Sequence, residues 1–142
     1  MKEQTVTFFG HRDAPDSISS ALKEKIIEMI TTIGIKDFYV GNNGNFDFYV
    51  QGVLENIVKK HNDIRFSVVL STINETAIGA KQKYTVFPEG LENALPKFAI
   101  SKRNDWMINN SQIVITYVRH NFSNSHKWLE KAKKKGLRVI NL

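Results

Sequence analysis

The chain has 142 residues, enough for one domain that buries about two-thirds of the surface its unfolded form exposes, so no disulfide or metal staple is required. It holds no cysteine, which excludes a disulfide framework and a thiolate metal site. It shows neither a secretory leader nor an apolar run near the roughly 20 residues that cross a bilayer, so a cytoplasmic protein without membrane contact is expected. The formal net charge of +6 favours anionic partners, but Lys131, Lys133, Lys134 and Lys135 read as a solvated helix face, and charge alone does not choose the partner.

From Thr5 to Gly10 a β-branched and aromatic run ends in glycine, and Asp13-Ala14-Pro15-Asp16-Ser17 supplies turn and capping residues. Ile18, Leu22, Ile26, Ile27, Ile30 and Ile33 recur at helical spacing with Lys and Glu between them, which predicts an amphipathic helix stopped by Gly34. A second strand, Asp37 to Gly41, leads through the polar turn Asn42-Asn43-Gly44-Asn45 into a helix marked by Phe46, Val50, Val53, Leu54, Ile57 and Val58. Ile64 to Leu70 is an almost continuous apolar run, as in strands of a parallel sheet covered on both faces. Residues 71–95 are irregular, interrupted by Gly79, Pro88 and Gly90, with a short edge strand expected over Tyr84–Phe87. Phe98–Asn109 reads as a helix, Gln112–Val118 as a buried strand, Ser125–Lys135 as a helix ended by Gly136, and Leu137–Leu142 as the last strand.

Strands alternating with helices of this length predict an α/β fold: a Rossmann-like three-layer sandwich with a mainly parallel sheet, one domain spanning residues 1–142. Ligands of such sheets bind beyond the carboxyl ends of the strands. After the first strand stand Gly10, His11 and Arg12. A glycine permits close backbone approach, and an arginine grips phosphate with two parallel hydrogen bonds. After the second stand Gly41, Asn43, Gly44 and Asn45, opening a helix whose first amides lack intrahelical partners and whose dipole favours an anion. Simple strand stops and a routine helix cap explain the same residues. Lys102 and Arg103 on the helix before the strand Gln112–Val118, and Arg119, His120 and Asn121 after it, join the crevice if that strand lies beside the first.

Phe9-Gly10-His11-Arg12, the turn Gly41 to Asp47, the block Pro96 to Met107 and the closing stretch from Ile113 to Leu142 together resemble the SLOG superfamily in its YpsA-like branch. That superfamily is Rossmann-like and includes the lonely-guy phosphoribohydrolases and the DNA-processing protein A family. The resemblance implies a nucleotide-related small molecule as ligand, with nucleic acid as the alternative partner, and it admits a homodimer because superfamily relatives often pair. It places Gly10 and Arg12 on the first loop, Gly44 and Asp47 on the second, and Arg103 with Asn104 reaching in from the helix. Asp47 would accept a ribose hydroxyl, or simply complement the helix dipole. The chain departs from the pattern after Gln112–Val118. It reads Arg119-His120-Asn121-Phe122-Ser123-Asn124-Ser125 where relatives carry a glycine-rich turn, and the phosphoribohydrolase signature Gly-Gly-x-Gly-Thr is missing. Ser123, Asn124 or Ser125 at the next helix start would then meet a phosphate.

No Walker loop and no Gly-x-Gly-x-x-Gly follows the first strand, and His120 and His126 lack a third metal ligand. His11 suits a general acid or a phosphate donor, and equally an ordinary loop histidine. Trp106, Met107 and Trp128 are spaced as core residues and also suit a nucleobase platform. The sequence thus predicts a sensor or an enzyme of unassigned reaction, with no cofactor besides the nucleotide ligand and no metal.

Overall fold

The computed structural model describes residues 4–72 and 85–142. Its strands are β1 (Thr5–Gly10), β2 (Asp37–Val40), β3 (Arg65–Val69), β4 (Thr85–Val86), β5 (Ile113–Tyr117) and β6 (Arg138–Asn141). They form one sheet in the order β4-β3-β2-β1-β5-β6, every neighbouring pair parallel. The helices are α1 (Ser19–Glu28), α2 (Gly44–Lys60), α3 (Pro96–Asn109) and α4 (Asn124–Lys134). The expected α/β architecture is present, with strand ends within a residue or two of their predicted places. The edge strand over Tyr84–Phe87 is found as Thr85–Val86; Tyr84 and Gly79 lie outside the described residues.

Successive side chains of a strand point to opposite faces, and the apolar runs of β1, β3 and β5 therefore supply both. Phe8 packs with Leu22 and Ile26 of α1 and with Phe46, Val50 and Leu54 of α2, whereas its neighbour Phe9 packs with Met107 of α3 and Trp128 and Ala132 of α4. Val68 and Val69 divide in the same way, as do Ile115 and Val114. Helices α1 and α2 thus cover one face and α3 and α4 the other. Each fully buried side chain such as Phe8 or Leu22 contributes about 1.5–3 kcal/mol.

The first helix departs from its predicted phase. After Glu28 it widens into a π-turn, Met29–Ile33, before Gly34 stops it at φ +80°. The hydroxyls of Thr31 and Thr32 donate to the carbonyls of Ile27 and Glu28 in that turn. One extra residue per turn shifts every later side chain around the axis. Met29, three residues after Ile26, stays on the buried face, and Ile33, a core position in the helical spacing, is 39% exposed.

The chain leaves β1 in one direction, through α1 to β2 and α2 to β3, and reaches β5 and β6 on the other side. Right-handed crossovers going opposite ways place their helices on opposite faces. A crevice opens where the direction reverses, at the carboxyl ends of β1 and β5. These strands are neighbours, with Gly10 opposite Tyr117, so the adjacency needed to unite the predicted site residues exists.

Candidate functional site

A cleft of about 290 Å³ lies at that reversal, beyond the carboxyl end of β1 and between the starts of α2, α3 and α4. All three helices begin at this edge because each precedes or follows a parallel strand and runs against it. Gly10, Arg12, Asn43, Asp47, Arg103, Asn104 and Ser125, named from the sequence, all line this one cleft. His11, Gly41, Gly44, Arg119 and Ser123 stand behind or beside it, and each is engaged by a protein partner.

The glycines are explained by neighbours. A Cβ on Gly10 would sit 2.3–2.6 Å from the ring of Phe46, so the space that glycine frees is taken by the first turn of α2. Gly41 lies under Asp47 and Arg103, with a Cβ there 2.8 Å from the Asp47 carboxylate. Gly44 has φ +89°, and its missing Cβ lets it pack against the backbone of Arg12. The Arg12 carbonyl accepts the Asn45 amide at 2.8 Å, and Asp47 Oδ2 accepts the Asn43 amide at 3.0 Å. Two amides at the start of α2, expected from the sequence to meet a phosphate, are thus satisfied within the protein.

Arg103 is 2% exposed although it borders the cleft. Its Nε donates to Asn104 Oδ1 at 2.8 Å, Nη1 to the Val69 carbonyl at 3.0 Å, and Nη2 to Asn43 Oδ1 at 2.7 Å. One guanidinium therefore ties α3 to the end of β3 and to the β2–α2 turn. The half-buried Asp47 faces the same wall. Burial pushes its carboxyl from 3.8 up to about 6, against the Asn43 hydrogen bond and the Arg103 charge, which pull it down.

The β5–α4 loop is arranged differently. Asn141 fixes its entry: the side-chain oxygen accepts the Val118 amide and the Thr116 hydroxyl, both at 2.9 Å, and the side-chain nitrogen donates to the Val118 carbonyl. Ser123 fixes its exit as the N-cap of α4, its Oγ accepting the His126 amide at 3.1 Å. Between these points Arg119 to Phe122 are exposed, Phe122 at 98%. His11 lies beneath them, 6% exposed. Its Nε2 accepts the Arg119 amide at 2.7 Å, and its ring stacks on His120 with centroids 4.4 Å apart. The Arg119 guanidinium lies over the Tyr117 ring.

Lys97 and Ser101 of α3 and Lys127 of α4 also line the cleft, and the sequence reading did not give them a site role. A signal existed: Lys97 follows Pro96 in the first turn of α3 and Lys127 lies in the first turn of α4, and helix starts belong to the ligand edge of such a sheet. With Arg12 they bring three exposed cations from three elements to a wall that Phe9, Met107 and Trp128 make apolar on its inner side. Of the described lining residues, Asp47 alone is acidic.

No protein-family model matches the chain, and no curated protein matches it in sequence. Among solved structures it is similar to DNA processing protein A (DprA) from Streptococcus pneumoniae, with a TM-score of 0.72, 16% identity and 98% of this chain covered. The match takes in 50% of that protein, so the chain spans about half of its length. At this identity the likeness is one of fold: an all-parallel Rossmann-like sheet with helices, as in DNA processing protein A.

Proposed function

We propose that the cleft binds a nucleotide or nucleotide-derived anion, as a sensor or as an enzyme, and that the chain is a YpsA-like member of the SLOG superfamily. The observation that carries this is the convergence of Arg12, Lys97 and Lys127, from three separate elements, on a cleft with an apolar aromatic wall and one carboxyl. Cations at the mouth suit phosphate, Trp128 and Met107 suit a base or a sugar face, and Asp47 suits a hydroxyl donor. A cleft of about 290 Å³ is at the small end of ligand pockets, typically ~300–1,000 Å³, and fits a mononucleotide better than a dinucleotide. Calorimetry against nucleoside mono-, di- and triphosphates and ADP-ribose tests the reading. Binding should weaken about tenfold in Lys97→Ala and Lys127→Ala, as for loss of one charge-assisted contact. No binding across the panel, or binding indifferent to both changes, overturns it.

A second reading, nucleic-acid binding along the same edge, draws on the fold shared with DNA processing protein A and on the exposed Phe98 and Phe122 near Lys97 and Arg119. Stacked bases and phosphate contacts would then share the work, with affinity falling steeply with salt. Loss of single-stranded DNA binding in Phe122→Ser, with mononucleotide binding intact, distinguishes it from the first.

A further inference from the structure

We propose that His11 is a proton-operated latch on the β5–α4 loop: neutral, it holds Arg119 and keeps the loop down; protonated, it lets the loop go. The geometry defines the two states. Nε2 of His11 accepts the Arg119 amide at 2.7 Å, which requires that nitrogen to be unprotonated and the ring's proton to sit on Nδ1. The backbone of His11 does not share this freedom, since its amide donates to the Tyr117 carbonyl at 3.2 Å and its carbonyl accepts the Ala14 amide at 3.2 Å. A proton added at Nε2 turns an acceptor into a donor facing another donor. The bond is lost, and a cation is created against the stacked His120 ring at 4.4 Å and near Arg119.

The charged and titratable groups around His11 mostly favour its neutral form. Burial and His120 hold its pKa below the ordinary 6.5, as does Arg119, while Asp13 on its own loop pulls the other way; Tyr117 meets the ring edge-on at 5.7 Å. The loop is built to respond locally. Asn141 anchors Val118, and Ser123 caps α4 while its hydroxyl donates to the His120 carbonyl at 3.3 Å; the Arg119 amide is held by the His11 side-chain acceptor, and the Arg119 and His120 side chains by packing. Asn124 and Ser125, immediately beyond, form one wall of the cleft. That the latch therefore tunes ligand capture below neutral pH rests on the reading of the cleft given above; the latch itself does not.

Amide hydrogen exchange and imidazole nitrogen shifts, followed by NMR without ligand from about pH 8 to about pH 5, test it. In the native protein the Arg119 protection factor should fall at least about tenfold in step with protonation of His11, at a midpoint below 6.5. His11→Gln keeps an acceptor at the same reach without a titrating nitrogen, and should hold Arg119 protected throughout. His120→Asn removes the stacked charge, and should move the midpoint upward. Arg119 protection unchanged while His11 titrates, or the same acid transition persisting in His11→Gln, overturns the latch. If His11→Gln does not fold, the coupled titration of nitrogen and amide in the native chain still decides. Absence of nucleotide binding would leave this result untouched.

Discussion

On the α2 side of the cleft Arg103, Asn43, Asp47 and Gly41 interlock through buried contacts, whereas on the α4 side the segment from Arg119 to Phe122 lies exposed between two anchored ends. The first arrangement joins β3, the β2–α2 turn and α3 through one side chain, so no member moves alone. The second is held at its ends by Asn141 and Ser123, while the Arg119 amide between them meets one side chain, that of His11. The cleft thus has an interlocked wall on one side and an exposed, end-anchored segment on the other.

The largest effect expected from this contrast is at Arg103. Arg103→Met leaves the Val69 carbonyl, Asn43 Oδ1 and Asn104 Oδ1 without their donor, each at about 1–3 kcal/mol, and should lower unfolding free energy in urea by at least about 3 kcal/mol. A loss under about 1 kcal/mol would mean that the α2 side is not the rigid one.

Asp47 gives the next largest effect, with a definite sign. Its native carboxyl titrates at about 6 and the unfolded one near 3.8, so the native state binds the proton more tightly and the fold loses stability as pH rises between those values. At about 1.4 kcal/mol per unit the swing is about 1–3 kcal/mol, and Asp47→Asn should flatten it in urea titrations at successive pH values. An equal slope in the variant would assign the effect elsewhere.

Ser123→Ala sharpens the comparison from the other side. Loss of this cap should cost about 1 kcal/mol and loosen the first turn of α4, without altering exchange at Asn43 or Asn45. Transmission of the change to those amides would show that the two walls are coupled after all.

Much of this architecture was readable in the residues. The order of strands and helices follows from alternating apolar periods, and the carboxyl edge follows from that order. What was not readable depends on contacts between distant positions. Gly10 looks like a ligand loop glycine until Phe46 is placed on it, and Arg103 looks like a ligand-gripping arginine until β3 and the β2–α2 turn arrive to use its donors. The π-turn after Glu28 was hidden because it leaves the sequence helical while changing the phase, so that Ile33 leaves the core face. Lys97 and Lys127 were passed over because a lysine at a helix start reads as solvated until the cleft beside it is known.

The pairing of β1 with β5 also bears on how the molecule is made. Thr5 bonds a partner 107 positions downstream and His11 one 108 positions downstream, so the central ladder of the sheet joins the earliest strand to one of the last. While the ribosome is still adding the middle of the chain, β1 has β2 on one flank and a bare, apolar edge on the other. Such long-range closure is slow, and an uncovered edge invites association with other chains. The α4 wall of the cleft therefore comes into being late, in the same event that covers β1, whereas every residue that interlocks on the α2 side precedes Ile113.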